Sequence, residues 1–411
     1  MPHDEGAAIP APDASSVLPA PSAPPLPGVP QADGGRRATW FELFSDLVFV
    51  AAVGQITHRI GGHPGITSAV AAAALFVPLW WTWVLYTVRA NRADRDNTAH
   101  RLLTTAGLAA VTGMAVFGGD VGHGSGADAG FVVSYLCARG GVAALYGWEV
   151  RREPHLMPLL RTFLLGSAST ALLWLGGLLL LDGPARYVIW AAAMTAELAL
   201  PLLARRYVAR APHDAEHLRE RFGLFTIIVL GETVLGFTNG LVAARTAPAA
   251  AATGAAAFAL CAGLWWSYFS ASGSRPGGHA QLASGGRLTH VYVFGHLPVQ
   301  LGLALAGGAV GAAVVGTGRH LTAVSAGCVV GGVALFLVST AVIRAAFLGA
   351  RDTVVVIRLL TAATSLLLLP LTGHVAVAVV LTSLAVLLAA SVAVEGPAHR
   401  RRLPAAQGAP G

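Results

Sequence analysis

The sequence predicts an all-α polytopic membrane protein of about twelve transmembrane helices, arranged as two parallel six-helix repeats. Three observations carry this prediction: a composition too apolar for water, apolar runs of membrane-spanning length, and arginines confined to alternate loops.

Of the 411 residues, 55% are hydrophobic and only 11% charged, with a mean hydropathy of +0.64. A soluble domain carries about a quarter charged residues. The bilayer is therefore the first partner. The net charge of +7 is carried by arginine, since the chain has no lysine. Those arginines lie between apolar runs, not in a patch interleaved with aromatics, so a nucleic-acid partner is not expected. Cys137, Cys261 and Cys328 stand alone, with no C-x-x-C spacing and no histidine beside them. They read as small buried hydrophobes, and no metal or other cofactor is expected.

Residues 1–37 are rich in Pro, Ala, Gly and Ser and read as a disordered tail. No basic segment followed by a short apolar one occurs there, so the first span itself is expected to direct insertion. Apolar runs of about 18 to 25 residues span the hydrocarbon core. They fall at 40–60, 66–88, 102–119, 129–150, 158–181 and 186–204, then at 221–241, 251–270, 288–316, 321–346, 353–372 and 374–394. Residues 38–210 thus form a first six-helix half and 211–396 a second, with 397–411 as a C-terminal tail.

Arginine placement tests this count, because short cytoplasmic loops carry the excess of positive charge. In a twelve-span arrangement 22 of the 27 arginines share one side, among them Arg89, Arg151, Arg205, Arg221, Arg287, Arg344 and Arg358. Arg59, Arg186, Arg245 and Arg319 fall on the other side, and Arg139 lies within the fourth span. Both termini are expected to be cytoplasmic. The chain also repeats itself: "FELFSDLV" at 41–48 aligns with "FGLFTIIV" at 222–229, and "LWWTW" at 79–83 with "LWWSY" at 264–268. Six spans per half is an even number, which makes the repeat parallel.

"ELFSDLVFVAAVGQITH" at 42–58, "ERFGLFTIIVLGETVLG" at 220–236, the two "WW" segments and "HVYVFGHLPVQLG" at 290–302 together resemble the bacterial low-temperature-requirement A (LtrA) family. The resemblance covers about 38–395 and implies a multi-pass protein of the bacterial cell membrane. The family is named for growth in the cold, and no reaction follows from membership. Ser270 stands where the family usually carries an acid, so no role passes to that position. Phe44, Ser45 and Asp46 form an "FSD" triplet on the first helix of a six-helix repeat, as in the endolysosomal potassium channels and their bacterial relatives. Here Trp40 replaces the arginine those channels place four residues earlier.

Glu42 and Asp46 share a helix face at i,i+4 spacing, Asp46 about 9 Å inside the first span. For Glu42 the helix macrodipole with Arg36 or Arg37 suffices as an explanation. Asp46 lies deeper and is either structurally paired or a cation or proton site. Glu232, Glu197 and Arg139 fall within about one helical turn of one another in depth near the midplane. Either they form a buried ion pair that fixes register, or one carboxylate is left to exchange a proton or bind a cation. Glu232 is favoured for the second role because Gly231 and Gly236 flank it, allowing close helix approach or unwinding.

His296, followed by Pro298, lies either on a polar path beside a kinked helix or in a simple core hydrogen bond. His290 reads as interfacial. Trp80, Trp81 and Trp83, with Trp265, Trp266 and Tyr268, read as an interfacial aromatic belt, with ligand stacking or gating as the alternative. No phosphate-binding loop, nucleophile elbow or H-E-x-x-H occurs, so no catalytic residue is assigned. The leading functional expectation is a secondary transporter or permease for an unknown small molecule or ion. A potassium-type channel and a nonconducting membrane enzyme or regulator are the alternatives. A homo-oligomer is compatible with all three.

Overall fold

Buried in hydrocarbon, a backbone must satisfy its own polar groups, which leaves a helix as the solution for each apolar run. In a computed structural model the described residues are 38–62, 65–92, 98–151, 154, 157–208, 214–244, 248–271, 286–315 and 320–400. Twelve helices among them are long and apolar enough to cross a membrane, and no strand occurs among the described residues. They are α1 (Trp40–Gly62), α2 (Ile66–Arg92), α3 (Thr98–Gly118), α4 (Ser125–Val150), α5 (Met157–Leu180) and α6 (Pro184–Leu203). After a single turn at Arg205–Val208 come α7 (Ala215–Ala243), α8 (Pro248–Ala271), α9 (Arg287–Val315), α10 (Ala323–Leu348), α11 (Thr353–Leu366) and α12 (Val377–Arg400). The tail expected over 1–37, with Arg36 and Arg37, lies outside the described residues, as do 401–411.

The largest difference from the sequence reading is at α7, which begins at Ala215 and not near residue 221. Its N-cap is Asp214, whose carboxylate accepts from the backbone N–H of Glu216 and His217. Capping there adds nearly two turns, so Arg221 is an interior residue of the helix. Within α10 a π-helical turn at Gly327–Gly331 interrupts the α-helix where Gly327, Gly331 and Gly332 cluster.

Starts of odd-numbered and ends of even-numbered helices share one side, here called proximal. Asn91 at the end of α2 exchanges two hydrogen bonds with the Asp214 backbone, 2.7 and 2.9 Å, at the start of α7. On the opposite, distal side Arg59 near the end of α1 donates to the carbonyls of Gly118, Gly119 and Val121 at the end of α3 and just beyond it. Asp128 and Arg186, at the starts of α4 and α6, pair there at 2.6 Å.

In the first half α1 packs on α2 and α3, α3 on α4, α4 on α5 and α5 on α6. In the second, α7 packs on α8 and α9, α9 on α10, α10 on α11 and α11 on α12, with α12 also against α8. α9 is the hub, touching α1, α2, α7, α8 and α10. Small residues make this closeness achievable, because lipid offers no hydrophobic drive between helices and van der Waals packing must supply it. Gly236 and Gly240 of α7, four apart, face Gly307 and Gly311 of α9, also four apart; a Cβ on Gly311 would come within 3.1 Å of Gly236 Cα. On the other flank of α9, a Cβ on Gly302 would stand 2.5 Å from the Gly332 carbonyl oxygen and 3.1 Å from the Phe336 nitrogen of α10.

Those neighbours are backbone and cannot swing aside. Gly302→Ala is therefore expected to force α9 and α10 apart and to destabilise the protein by about 1–3 kcal/mol. Gly231→Ala, with nothing within 4 Å of the new methyl, should be neutral or stabilising by roughly 0.5–1 kcal/mol. Thermal unfolding of the two variants in detergent checks the contrast, and equal melting temperatures would contradict it.

Candidate functional site

At the proximal end a polar joint ties α1, α2 and α7. Glu42 sits in the first turn of α1, where its carboxylate accepts from the Thr39 backbone N–H at 2.8 Å while Thr39 Oγ1 accepts from the Glu42 N–H, a reciprocal capping box. Asn91 Nδ2 donates to His217 Nδ1, which leaves Nε2 as the donor toward Glu42 at 3.3 Å. One turn deeper, Asp46 is fully buried. Its Oδ1 accepts from Arg221 Nη2 at 2.7 Å and Trp83 Nε1 at 2.8 Å. Oδ2 of Asp46 and Nε and Nη1 of Arg221 are buried with no hydrogen-bond partner among the described residues. The "FSD" triplet is thus divided among three environments: Phe44 is half exposed on the outside, Ser45 donates to the Phe41 carbonyl, and Asp46 is ion-paired.

Between α4, α5 and α6, Arg139 pairs with Glu197, as the shared depth of the two residues suggested. Tyr135 donates to Glu197 Oε2, and Trp174 Nε1 donates to Oε1 at 3.2 Å. Arg139 Nη2 donates to Ser167 Oγ at 2.6 Å, so the charge is balanced and both ends of the guanidinium fork are engaged in a buried site. Glu232, expected to join them, does not. It lies on α7 facing α1, with its carboxylate against the Cα of Gly54, where any Cβ would collide with it. Among the described residues it has no hydrogen-bond or ion-pair partner, and it is half-buried. Its flanking glycines differ: Gly236 packs on α9, whereas Gly231 meets open space, and α7 runs unbroken through both.

The tryptophans of α2 are not a belt. Trp80, Trp81 and Trp83 are at most 3% exposed. Trp80 Nε1 donates to Gln300 of α9 at 2.6 Å, and Gln300 Nε2 donates to Thr226 of α7 at 3.2 Å. Trp83 stacks on Phe225 at 4.1 Å between ring centroids. In the aligned segment Trp265 and Trp266 are exposed, as an interfacial pair would be, while Tyr268 is buried. His296 takes the core hydrogen bond: Nδ1 donates to the Tyr292 carbonyl at 2.7 Å and Nε2 accepts from Tyr268 at 2.9 Å. His290 is half-buried near the start of α9.

The sequence reading missed three partners. Arg221 was obscured by the late start assigned to α7, which the Asp214 cap and Glu216 behind it would have corrected. Gly54 carries no charge, and no one-dimensional signal sets it opposite Glu232. Arg358, 1% exposed, donates to both Glu395 oxygens at 3.1 Å and to the Ser267 carbonyl, joining α8, α11 and α12. Among the described residues no group of three or more His, Cys, Asp or Glu side chains could hold a metal ion.

Residues 37–393 match the sequence profile of the bacterial low temperature requirement A protein (LtrA). An uncharacterised protein of Rhizobium meliloti (strain 1021), RA0937, is 27% identical over 278 residues, which cover 65% of this chain and 67% of that one. No solved structure matches the chain. The profile runs from just before α1 into α12 and so takes in every helix described above: the chain belongs to the bacterial low temperature requirement A (LtrA) family of multi-pass membrane proteins.

Proposed function

We propose that the protein is a secondary transporter of the bacterial inner membrane, with both termini cytoplasmic, in which Glu232 binds and releases a proton or small cation. The observation that carries this reading is a carboxylate without a partner among the described residues, deep in a membrane helix, while its counterparts Asp46, Glu197 and Glu395 are each paired with an arginine. A lone charge at that depth costs a few kcal/mol, and retaining one that no neighbour neutralises favours exchange over architecture. Its position adds support. Glu232 faces Gly54 where α7 of the second half meets α1 of the first. That is the joint at which a carrier built from two parallel repeats must flex. The matching neighbour order of α1, α3, α4, α5, α6 and α7, α9, α10, α11, α12 is consistent with such a repeat. The cytoplasmic assignment of the proximal side rests on its 22 arginines.

The test is proton movement into proteoliposomes carrying a trapped pH-sensitive dye, driven by a potassium diffusion potential. Wild type is expected to move protons and Glu232→Gln to be silent at equal incorporation. Gly54→Ala should weaken movement too, because its methyl displaces the carboxylate from its seat. Only the flexible end of Glu232 must yield, so this variant should still fold. Undiminished proton movement in Glu232→Gln would refute the assignment.

A further inference from the structure

Glu232 lies in the seam between α1 and α7, with its carboxylate against Gly54. The seam differs in polarity on the two sides of that contact. Toward the proximal side the next positions on the same faces are Val50, four before Gly54, and Ile228, four before Glu232. Further along, Trp83 is stacked on Phe225 and bonded to Asp46, whose charge Arg221 balances. Toward the distal side the same faces carry His58, four after Gly54, and Asn239, seven after Glu232. Each stands four residues before the end of its helix, about 6 Å along the axis.

His58 and Asn239 are exposed, and neither has a hydrogen-bond partner among the described residues. Exposed hydroxyls in other spans, such as Thr105, Thr195 and Thr364, each bond to a carbonyl one turn back in their own helix. Arg59, next to His58, is turned toward α3 and held there by three carbonyls, so its charge is directed away from the seam. Polar side chains that no neighbour satisfies draw water inward from the nearest membrane surface. The distal half of the seam is therefore the wetter one.

We infer that the ion Glu232 exchanges is a proton and that His58 relays it between Glu232 and the distal water. The inference rests on the Glu232 reading and extends it. Positions four apart on a helix stand about 5–6 Å from each other between Cβ atoms, so the His58 imidazole reaches toward the carboxylate seated on Gly54, directly or through one water. Protonated Glu232 gives its proton to the neutral imidazole, leaving a carboxylate and an imidazolium. The imidazolium then releases that proton to water beyond α1 and returns to its neutral form. Uptake from the distal side runs through the same two transfers in reverse.

The dye-loaded proteoliposomes test the relay with His58→Ala, which should fold as wild type does because the side chain is exposed. Proton movement is expected to slow at least about tenfold. Imidazole at equal concentration on both sides is expected to restore most of it by standing in for the missing ring. Glu232→Gln should stay silent in imidazole, because the carboxylate and not the relay is lost. His58→Ala moving protons at the wild-type rate, with Glu232→Gln silent, would overturn the relay and leave Glu232 assigned. A slow His58→Ala that imidazole does not restore would overturn it as well, by giving His58 a structural role only. Undiminished movement in Glu232→Gln, or none in wild type, would remove the reading beneath the relay and the relay with it.

Discussion

Glu197→Ala is expected to destabilise the protein by about 3–5 kcal/mol, as removing one partner of a buried ion pair does. The loss is not confined to one contact. Arg139 keeps its charge in a buried site with Ser167 and Tyr135 as its remaining hydrogen-bond partners among the described residues, and Tyr135 and Trp174 lose the acceptor they share. Glu197→Gln retains an acceptor for Trp174 but removes the balancing charge, so it should fall between alanine and wild type. Arg139→Leu combined with Glu197→Leu should recover most of the loss, because an apolar pair of similar volume escapes the desolvation penalty. Thermal unfolding in detergent of wild type, Arg139→Leu, Glu197→Leu and the double variant closes the double-mutant cycle. A double variant as unstable as the sum of its singles would show that the two residues are not coupled and would contradict the ion-pair account.

The second large effect is expected at the proximal joint. Asp46→Ala removes the carboxylate that Arg221 and Trp83 both use. Arg221 already has two buried donor atoms without partners, and the truncation leaves its guanidinium with no hydrogen bond among the described residues. Destabilisation of about 3–5 kcal/mol follows from stranding that charge. Asp46→Asn should be milder, since an amide oxygen still accepts from Trp83. Proton movement per folded molecule should be preserved in Asp46→Asn, which separates this site from Glu232. A well-folded Asp46→Asn protein that no longer moved protons would transfer the functional role to the α1 carboxylate.

Both predictions concern residues visible in the sequence, yet they were legible to different degrees. Arg139 and Glu197 could be paired by depth alone, because two opposite charges in hydrocarbon have few other partners. Asp46 could be recognised as needing a partner, but that partner stands 175 residues later in the chain. It was obscured when the start of α7 was set by hydropathy and not by its cap. The same error made Glu232 appear shallower, about 16 Å in and level with Arg139, where counting from Ala215 puts it about 25 Å along the helix.

By itself the sequence determined the element class, the twelve spans, the sidedness of the arginines and the family. These are sums along the chain, of apolar length and of charge, and they survive ignorance of packing. Only the tertiary structure decided which face of each helix looks inward. In a soluble helix the polar stripe reports that rotation. Here most faces are apolar, so nothing in α2 distinguishes a tryptophan toward lipid from one toward α9, and Trp80, Trp81 and Trp83 were misread as a belt. For the same reason Glu232 met Gly54 and not Arg139: rotation and lateral position are set by where small residues let backbones touch. That complementarity exists only between helices, never within one.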